Sequence, residues 1–204
     1  MFNIQQLGQA PFEQTWQAMR TFTDDRDADT NDELWVVEHD SVYTLGQAGK
    51  AEHILNAANI PVVKTDRGGQ VTWHGPGQVV VYTLVDLRRK SFGVRGMVER
   101  LEQAVVNTLG EWDIVAAARR DAPGVYVANK KIAALGLRVR KGCTYHGLSL
   151  NIDSDPTPWR GINPCGFEDL GVTRVLDQLG DGVDFDRDRA ISSLLQQLTT
   201  CLSS

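Results

Sequence analysis

Apolar residues recur every three or four positions in three segments of the chain, which is the period of one face of an α-helix. The first segment follows Pro11 and the second ends before Gly110, residue types that favour the start and the end of a helix. The third follows Asp186 and carries Cys201 on its apolar face, so we expect this thiol in the core. The three stripes are Phe12, Trp16, Met19 and Phe22; Val94, Val98, Leu101, Val105 and Leu109; and Ile191, Leu194, Leu195, Leu198 and Leu202. They predict an N-terminal, a central and a C-terminal helix.

Between the helices, short apolar runs rich in β-branched residues predict strands. These runs cover residues 34–39, 42–45, 60–64, 79–85, 125–128, 131–140 and 144–152. Tight turns such as Asn129-Lys130 and Lys141-Gly142 separate some of them, and connections this short join antiparallel neighbours. The pattern predicts a single α+β domain over residues 1–204, an α/β sandwich in which helices flank a mixed, mainly antiparallel sheet.

Composition and charge limit the classes of protein that fit. With 42% hydrophobic and 23% charged residues the chain resembles a globular protein, and no apolar run approaches the roughly 18 residues of a membrane span. The N-terminal residues lack the basic and apolar regions of a signal peptide, and three widely spaced cysteines match no disulfide framework. We therefore expect a cytoplasmic protein with reduced thiols and no membrane partner.

The charge is unevenly distributed along the chain. The net charge of −5 argues against a nucleic-acid partner, but residues 88–141 hold 12 of the 21 Lys and Arg and 5 of the 26 acidic residues. This segment therefore carries a net charge of +7, while the remainder carries −12. It predicts either a local basic surface or scattered, solvated side chains.

Residues 67–78, RGGQVTWHGPGQ, directly precede the apolar run Val79-Val80-Val81-Tyr82. Their four glycines allow positive φ angles and close approach of the main chain to a ligand. The segment is either a binding loop or a long hairpin connection. It matches neither the phosphate-binding G-x-x-x-x-G-K-[ST] pattern nor the dinucleotide fingerprint, so we expect no triphosphate ligand there.

The segment 130–153, KKIAALGLRVRKGCTYHGLSLNID, contains lysines and a histidine on predicted strands. Alternation along a strand places Lys130 and Lys131 on opposite faces, so only one of them can enter a site. The same rule places His146 on the face of Leu148, either as a half-buried histidine or as a ligand or base. The C-x-x-H pair of Cys143 and His146 has an odd offset, which sends the two side chains to opposite faces and argues against a metal site.

The segment 159–167, WRGINPCGF, places a cysteine in irregular backbone. Cys165 lies between Pro164 and Gly166, where a thiol could be presented to a ligand rather than buried. It is either a structural residue or a nucleophile activated by a neighbouring base or cation.

Taken together, RGGQVTWHGPGQ, KIAALGLRVRKGCTYHGLSLNI and INPCG, in this order and spacing, resemble the octanoyltransferase (lipoyl transferase) family of lipoate biosynthesis. The similarity extends to residues 32–50, 60–69 and 121–127 and covers most of residues 1–175. It implies the fold of biotin and lipoate protein ligases and the transfer of an octanoyl group from acyl carrier protein to a lysine of lipoyl domains. The acceptors implied are the lipoyl domains of 2-oxoacid dehydrogenase complexes and the glycine cleavage H protein, and no cofactor or metal is implied.

The resemblance also assigns residues. It implies that Cys165 is the nucleophile and Lys131 the catalytic lysine, which can act as a base if desolvation and the apolar acyl chain disfavour the charged amine. The acyl-binding residues that it implies are Arg67, Gly68, Gly69, Gln70, Val71, Thr72, Trp73 and His74; Ala134, Leu135 and Gly136; and Gly147, Leu148 and Ser149. Trp73 stands where the family pattern has tyrosine, which keeps an aromatic ring and removes a hydroxyl group.

Two other functions remain open from the residues. The first is an ATP-dependent lipoate or biotin protein ligase on the same fold, which needs nucleotide and no nucleophilic cysteine. The second is a non-catalytic acyl-binding module, which would form no covalent adduct.

Overall fold

The computed structural model describes residues 2–180 and 182–203, in which ten strands and three α-helices are found. In chain order the elements are β1 (Phe2–Gln9), α1 (Phe12–Asp25), β2 (Asp32–Glu38), β3 (Val42–Leu45), β4 (Val62–Lys64), β5 (Val71–His74), β6 (Gln78–Leu84), α2 (Val94–Gly110), β7 (Ala117–Ala118), β8 (Val125–Val127), β9 (Lys130–Arg140), β10 (Cys143–Asn151) and α3 (Arg187–Ser203). The three helices begin and end close to the positions that the apolar stripes predict.

The strands are divided between two sheets. The main sheet has seven strands in the order β1-β2-β6-β10-β9-β8-β7, and only β1 and β2 run parallel among its neighbours. The small sheet has three strands in the order β4-β3-β5, with β3 parallel to β4 and antiparallel to β5. The prediction of a mixed, mainly antiparallel sheet with flanking helices is confirmed, whereas its division into two sheets was not predicted.

Helices cover both faces of the main sheet. Leu101 of α2 and Leu194 of α3 join Val81 of β6 in a core on one face, and the half-buried Cys201 packs against it. On the opposite face, Met19 of α1 packs against the other set of β6 side chains. Within the described residues, no helix combines the length and the hydropathy that crossing a bilayer would require.

Three strands were missed by the sequence patterns. The side chains of β1 are mostly exposed, and the alternation of apolar and polar positions in its sequence extends only over residues 2–5. β5 lies inside the glycine-rich segment and β7 has only two residues. Of these, β5 matters for the site, because all four of its residues are buried and one of its faces points toward the main sheet.

His146 lies on the opposite face of the main sheet from the one predicted. Its backbone has a φ of +61°, which interrupts the alternation of β10. The His146 ring stacks on Tyr145 and meets Tyr82 on the α1 side, whereas Leu148 joins the core under α2 and α3. The strand rule therefore failed at this one residue, where a left-handed conformation turned the side chain over.

Candidate active site

A narrow cleft lies between the main sheet and β5 of the small sheet. Two cross-strand rows of the main sheet form its floor, because residues two apart on a strand share a face. The first row is Gly136, Gly147 and Tyr82, and the second is Ala134, Ser149 and Val80, each running across β9, β10 and β6. The side chains over β9 and β10 are small, and the cleft between the sheets is narrow.

Most of the residues that the resemblance implied meet at this cleft. Its lining includes Arg67, Gly69, Gln70, Val71, Thr72, His74, Ala134, Leu135, Gly136, Gly147, Leu148, Ser149 and Cys165. Gly68 and Lys131 line the adjoining outer part, which also contains Cys165. The glycine-rich segment is thus a wall of a cleft rather than only a hairpin connection.

Trp73 lies outside the cleft, contrary to its implied place on the acyl-binding wall. Alternation along β5 turns Thr72 and His74 toward the main sheet and Trp73 away from it. The indole packs edge-on against Trp159, with 5.8 Å between ring centroids, in the apolar cluster of the small sheet. Aromatic surface in the cleft comes instead from Phe12 and Tyr82, neither of which was predicted.

The thiol and the amine implied to be catalytic are in direct contact. Lys131 Nζ donates a hydrogen bond to Cys165 Sγ at 2.8 Å and another to the carbonyl oxygen of Pro123 at 3.1 Å. The Lys131 side chain is 2% exposed, whereas Lys130 points to solvent. The prediction that only one of the two lysines can enter a site is therefore confirmed. Among the described residues, no carboxylate forms an ion pair with Lys131.

Cys165 occupies a strained turn. It lies in the short 3₁₀ turn Pro164–Gly166 with a φ of +56°, a conformation that non-glycine residues rarely adopt. The turn is closed by a hydrogen bond from the Gly166 amide to the Asn163 carbonyl at 2.9 Å. This geometry presents the partly exposed thiol at the mouth of the cleft.

A buried carboxylate supports the loop that holds Lys131. Glu102 of α2 accepts a hydrogen bond from the Gly124 amide at 2.8 Å, and burial raises the pKa of Glu102. Gly124 has a φ of +144°, and a Cβ there would lie 3.0 Å from Lys131 Cε. The preceding Pro123 carbonyl is the second acceptor for Lys131 Nζ. In the sequence, Glu102 stands out only as a charged residue next to the apolar stripe of α2.

Arg67 is a buried cation beside the cleft. Its guanidinium donates to Thr44 Oγ1, to the Thr44 carbonyl at 2.6 Å and to the Gly68 carbonyl at 3.0 Å, all of which are neutral acceptors. Burial lowers the pKa of Arg67 to about 10, so the group remains charged at neutral pH. A Cβ at Gly136 would lie 3.2 Å from Arg67 Cδ, so a residue without a side chain fits this position. Arg67 thus provides positive potential for a thiolate or an oxyanion in the cleft.

The two histidines at the cleft are held in fixed positions. Burial lowers the pKa of His74 to about 3, so this ring is neutral at neutral pH. Its Nδ1 lies 2.7 Å from Gln78 Oε1. His146 Nε2 lies 2.9 Å from Asp66 Oδ1. Burial lowers the pKa of His146, although the Asp66 carboxylate acts to raise it. Within the described residues, no group of three or more His, Cys, Asp or Glu side chains is arranged to hold a metal ion.

The chain matches a known protein family over most of its length. The model of the lipoyl protein ligase A/B catalytic domain family matches residues 11–199. The chain belongs to this family. The octanoyltransferase of Xanthomonas campestris pv. campestris strain 8004 is 58% identical over 195 residues, which are 96% of this chain and 83% of the relative. The octanoyltransferase of Aliivibrio fischeri is 51% identical over 204 residues, covering 98% and 91% of the two chains. The resemblance inferred from the motifs is confirmed.

Solved structures confirm the fold class. A bipartite lipoate protein ligase from Thermoplasma acidophilum has a TM-score of 0.76 at 17% identity, covering 100% of this chain and 84% of the other. The biotin protein ligase of Aquifex aeolicus has a TM-score of 0.60 at 13% identity, covering 100% and 70% of the two chains. At these identities the similarity shows the fold alone.

Proposed function

We propose that the chain is an octanoyltransferase that carries the acyl group on Cys165. It takes the octanoyl group from the thioester of acyl carrier protein and passes it to a lysine amine of a lipoyl domain. The observation that carries this proposal is the 2.8 Å contact between Lys131 Nζ and Cys165 Sγ at the mouth of a cleft between the sheets. The relatives named octanoyltransferase support the reaction class.

The first step exchanges one thioester for another. Lys131, as the neutral amine, accepts the proton of Cys165, and the thiolate attacks the acyl carbonyl. The bond to the carrier thiol breaks, and the leaving thiolate takes the proton from Lys131. Arg67 and the main-chain amides of the glycine-rich wall stabilise the negative oxygen of the tetrahedral intermediate.

The second step converts the thioester into an amide. The lysine of the lipoyl domain attacks the acyl carbon on Cys165 as the neutral amine, and its nitrogen gives one proton to Lys131 as the amide bond forms. The carbon–sulfur bond breaks, and the Cys165 thiolate recovers the proton from Lys131. Because the acyl group arrives as a thioester, the reaction needs no ATP.

The acyl chain supplies binding free energy in the cleft. The apolar lining of the cleft comes from Ala134 of the floor and from the rings of Phe12 and Tyr82. The side chains of Leu135 and Leu148 pack against the core on the opposite face of the sheet. Burying about seven carbons at ~0.8 kcal/mol each contributes on the order of 5–6 kcal/mol. This contribution favours binding of the acyl chain from the carrier and keeps the chain in the cleft while it is covalently bound to Cys165.

Intact-mass measurement tests the proposed function. On incubation with octanoyl carrier protein and no ATP, we expect the enzyme to gain one octanoyl group on Cys165, which then moves to an added lipoyl domain. Transfer that requires ATP would favour the ligase alternative. Acyl binding without an adduct or transfer would favour the non-catalytic module.

The carrier protein is proposed to dock on the basic segment 88–141. Ion pairs neutralise much of the positive charge of this segment. They involve Arg88, Arg89, Lys90, Arg95, Arg119, Arg140 and Lys141. Arg120 is exposed and lines a groove that reaches the site at Pro123. Acyl carrier proteins are acidic, so this arginine is placed to attract them.

Arg120→Glu is expected to raise the KM for octanoyl carrier protein several-fold and to leave kcat nearly unchanged. Lys64→Glu on β4 makes the same charge change on the small sheet and is the matched control. Both should be assayed at low and high salt, because screening weakens an electrostatic attraction. A wild-type KM that does not respond to ionic strength would contradict the docking proposal.

Glu102→Ala is expected to lower the rate of Cys165 acylation about tenfold, because a buried amide loses its acceptor and the Pro123 loop relaxes. Glu102→Gln keeps an acceptor oxygen and should retain more of the rate. Pre-steady-state mass measurement gives the acylation rate of each variant. Equal rates in the alanine and glutamine variants would show that the hydrogen bond to Gly124 does not position Lys131.

A further inference from the structure

The cleft narrows in one direction across the main sheet. Over β9 and β10 its floor consists of the small residues Ala134, Gly136, Gly147 and Ser149. Over β6 the same two rows end in larger side chains, those of Val80 and Tyr82. A chain that enters over β9 therefore meets an obstruction when it reaches β6.

Phe12 completes the obstruction from the α1 side. It is the first residue of α1, is 5% exposed and lines the cleft. Its ring is stacked on His74, with 6.0 Å between centroids, and lies edge-on to His39 at 5.4 Å. Phe12, Val80 and Tyr82 form what we call the end wall.

Hydrogen bonds hold the end wall in place. His39 Nδ1 lies 2.6 Å from the Ala10 carbonyl, and His39 Nε2 lies 2.6 Å from the Tyr82 hydroxyl. Since a carbonyl only accepts, Nδ1 carries the proton, and the Tyr82 hydroxyl donates to Nε2. His39 is fully buried, and burial lowers its pKa, which keeps it neutral in this role. Rotating Tyr82 out of the way would leave buried polar atoms without partners.

We propose that the end wall of Phe12, Val80 and Tyr82 sets the maximum length of the acyl chain that the enzyme transfers. This inference rests on the proposed octanoyltransferase function and names the residues that make it selective. A specific end wall is needed because each methylene changes binding by only a small factor, so an open cleft would select weakly.

The dimensions of the sheet agree with an eight-carbon chain. The outer part of the cleft, with Cys165, is lined from the main sheet by Lys131, Leu135 and Gly136 of β9. Neighbouring strands lie about 4.8 Å apart, so the path across β10 to β6 is about 10 Å. Seven carbon–carbon bonds of about 1.5 Å in a zigzag span roughly 9 Å. A chain two carbons longer would have to enter the space of the end wall.

Competition among chain lengths tests the proposal. Wild-type enzyme is incubated with an equimolar mixture of carrier proteins bearing six to fourteen carbons, and the masses of the adducts on Cys165 are compared. We expect Phe12→Ala to raise the ratio of decanoyl and dodecanoyl to octanoyl adducts about tenfold. Val80→Leu adds a methylene at the end wall and should shift preference toward hexanoyl.

Met19→Ala is the control for weakening α1, because Met19 is buried on the same helix and does not line the cleft. It should keep the wild-type ratio. If Phe12→Ala and Val80→Leu also give the wild-type ratio of chain lengths, the end-wall proposal is overturned, and the proposed acyl-enzyme is not affected. If the wild type forms no adduct with any chain length, the proposed function itself fails.

Discussion

Replacing Cys165 with serine is expected to abolish the acyl-enzyme and to lower turnover on the order of 10³-fold or more. A hydroxyl is a much weaker acid than a thiol, so the amine of Lys131, which lies 2.8 Å from Sγ, cannot deprotonate it effectively. An oxygen ester is also a poorer acyl donor than a thioester, so a trace of ester on the serine would not restore transfer to the lipoyl lysine. Intact mass after incubation with octanoyl carrier protein measures the first effect, and acyl transfer to a lipoyl domain measures the second.

The other two cysteines supply matched controls. Cys143 is buried at the start of β10 beside Arg88, and Cys201 is half-buried on α3. Cys143→Ser and Cys201→Ser should both form the octanoyl adduct. Wild-type turnover by Cys165→Ser would exclude the thioester intermediate and favour direct transfer between the two substrates.

Lys131→Arg is expected to lower the acylation rate of Cys165 by about 10²- to 10⁴-fold. Arginine retains the positive charge but does not give up a proton at neutral pH, so it cannot act as a base. The variant therefore separates proton transfer from electrostatic stabilisation of a thiolate. The rate of adduct formation in a single turnover is the measurement.

A pH series with Lys131→Met extends this test. Without Lys131 as the base, the thiol proton must pass to hydroxide from solution, so acylation by this variant should increase with pH. Lys130→Met, which removes the neighbouring exposed lysine, should follow the wild-type profile. Equal rates for Lys131→Arg and the wild type would show that Lys131 acts through its charge alone.

Local sequence patterns predicted much of the fold. Helical periodicity located α1, α2 and α3, and tight turns joined the antiparallel strands β8, β9 and β10. The period of two along a strand also separated Lys130 from Lys131 correctly. These features depend on residues close together in the chain, so they can be read without knowing what packs against them. The same rule failed at His146, where a left-handed backbone conformation turned the side chain over.

The chemistry of the site depends on contacts between distant segments. The motifs implied Cys165 and Lys131, but the 2.8 Å contact between them forms only when the turn at 164–166, 34 residues further along the chain, meets β9. Glu102 and Phe12 belong to helices whose sequences resemble those of ordinary packed helices, so no local pattern marked them.

Chain order and residue type thus predicted the three helices and most of the strands, the family resemblance, and the two side chains that we propose to react. Strand register and the second sheet decided three further features. They are the contact between thiol and amine, the orientation of Trp73 away from the cleft, and the position of the end wall at β6. The reason is physical: periodicity reports which face of an element is apolar, whereas a binding cleft is the space left between faces that meet across the fold.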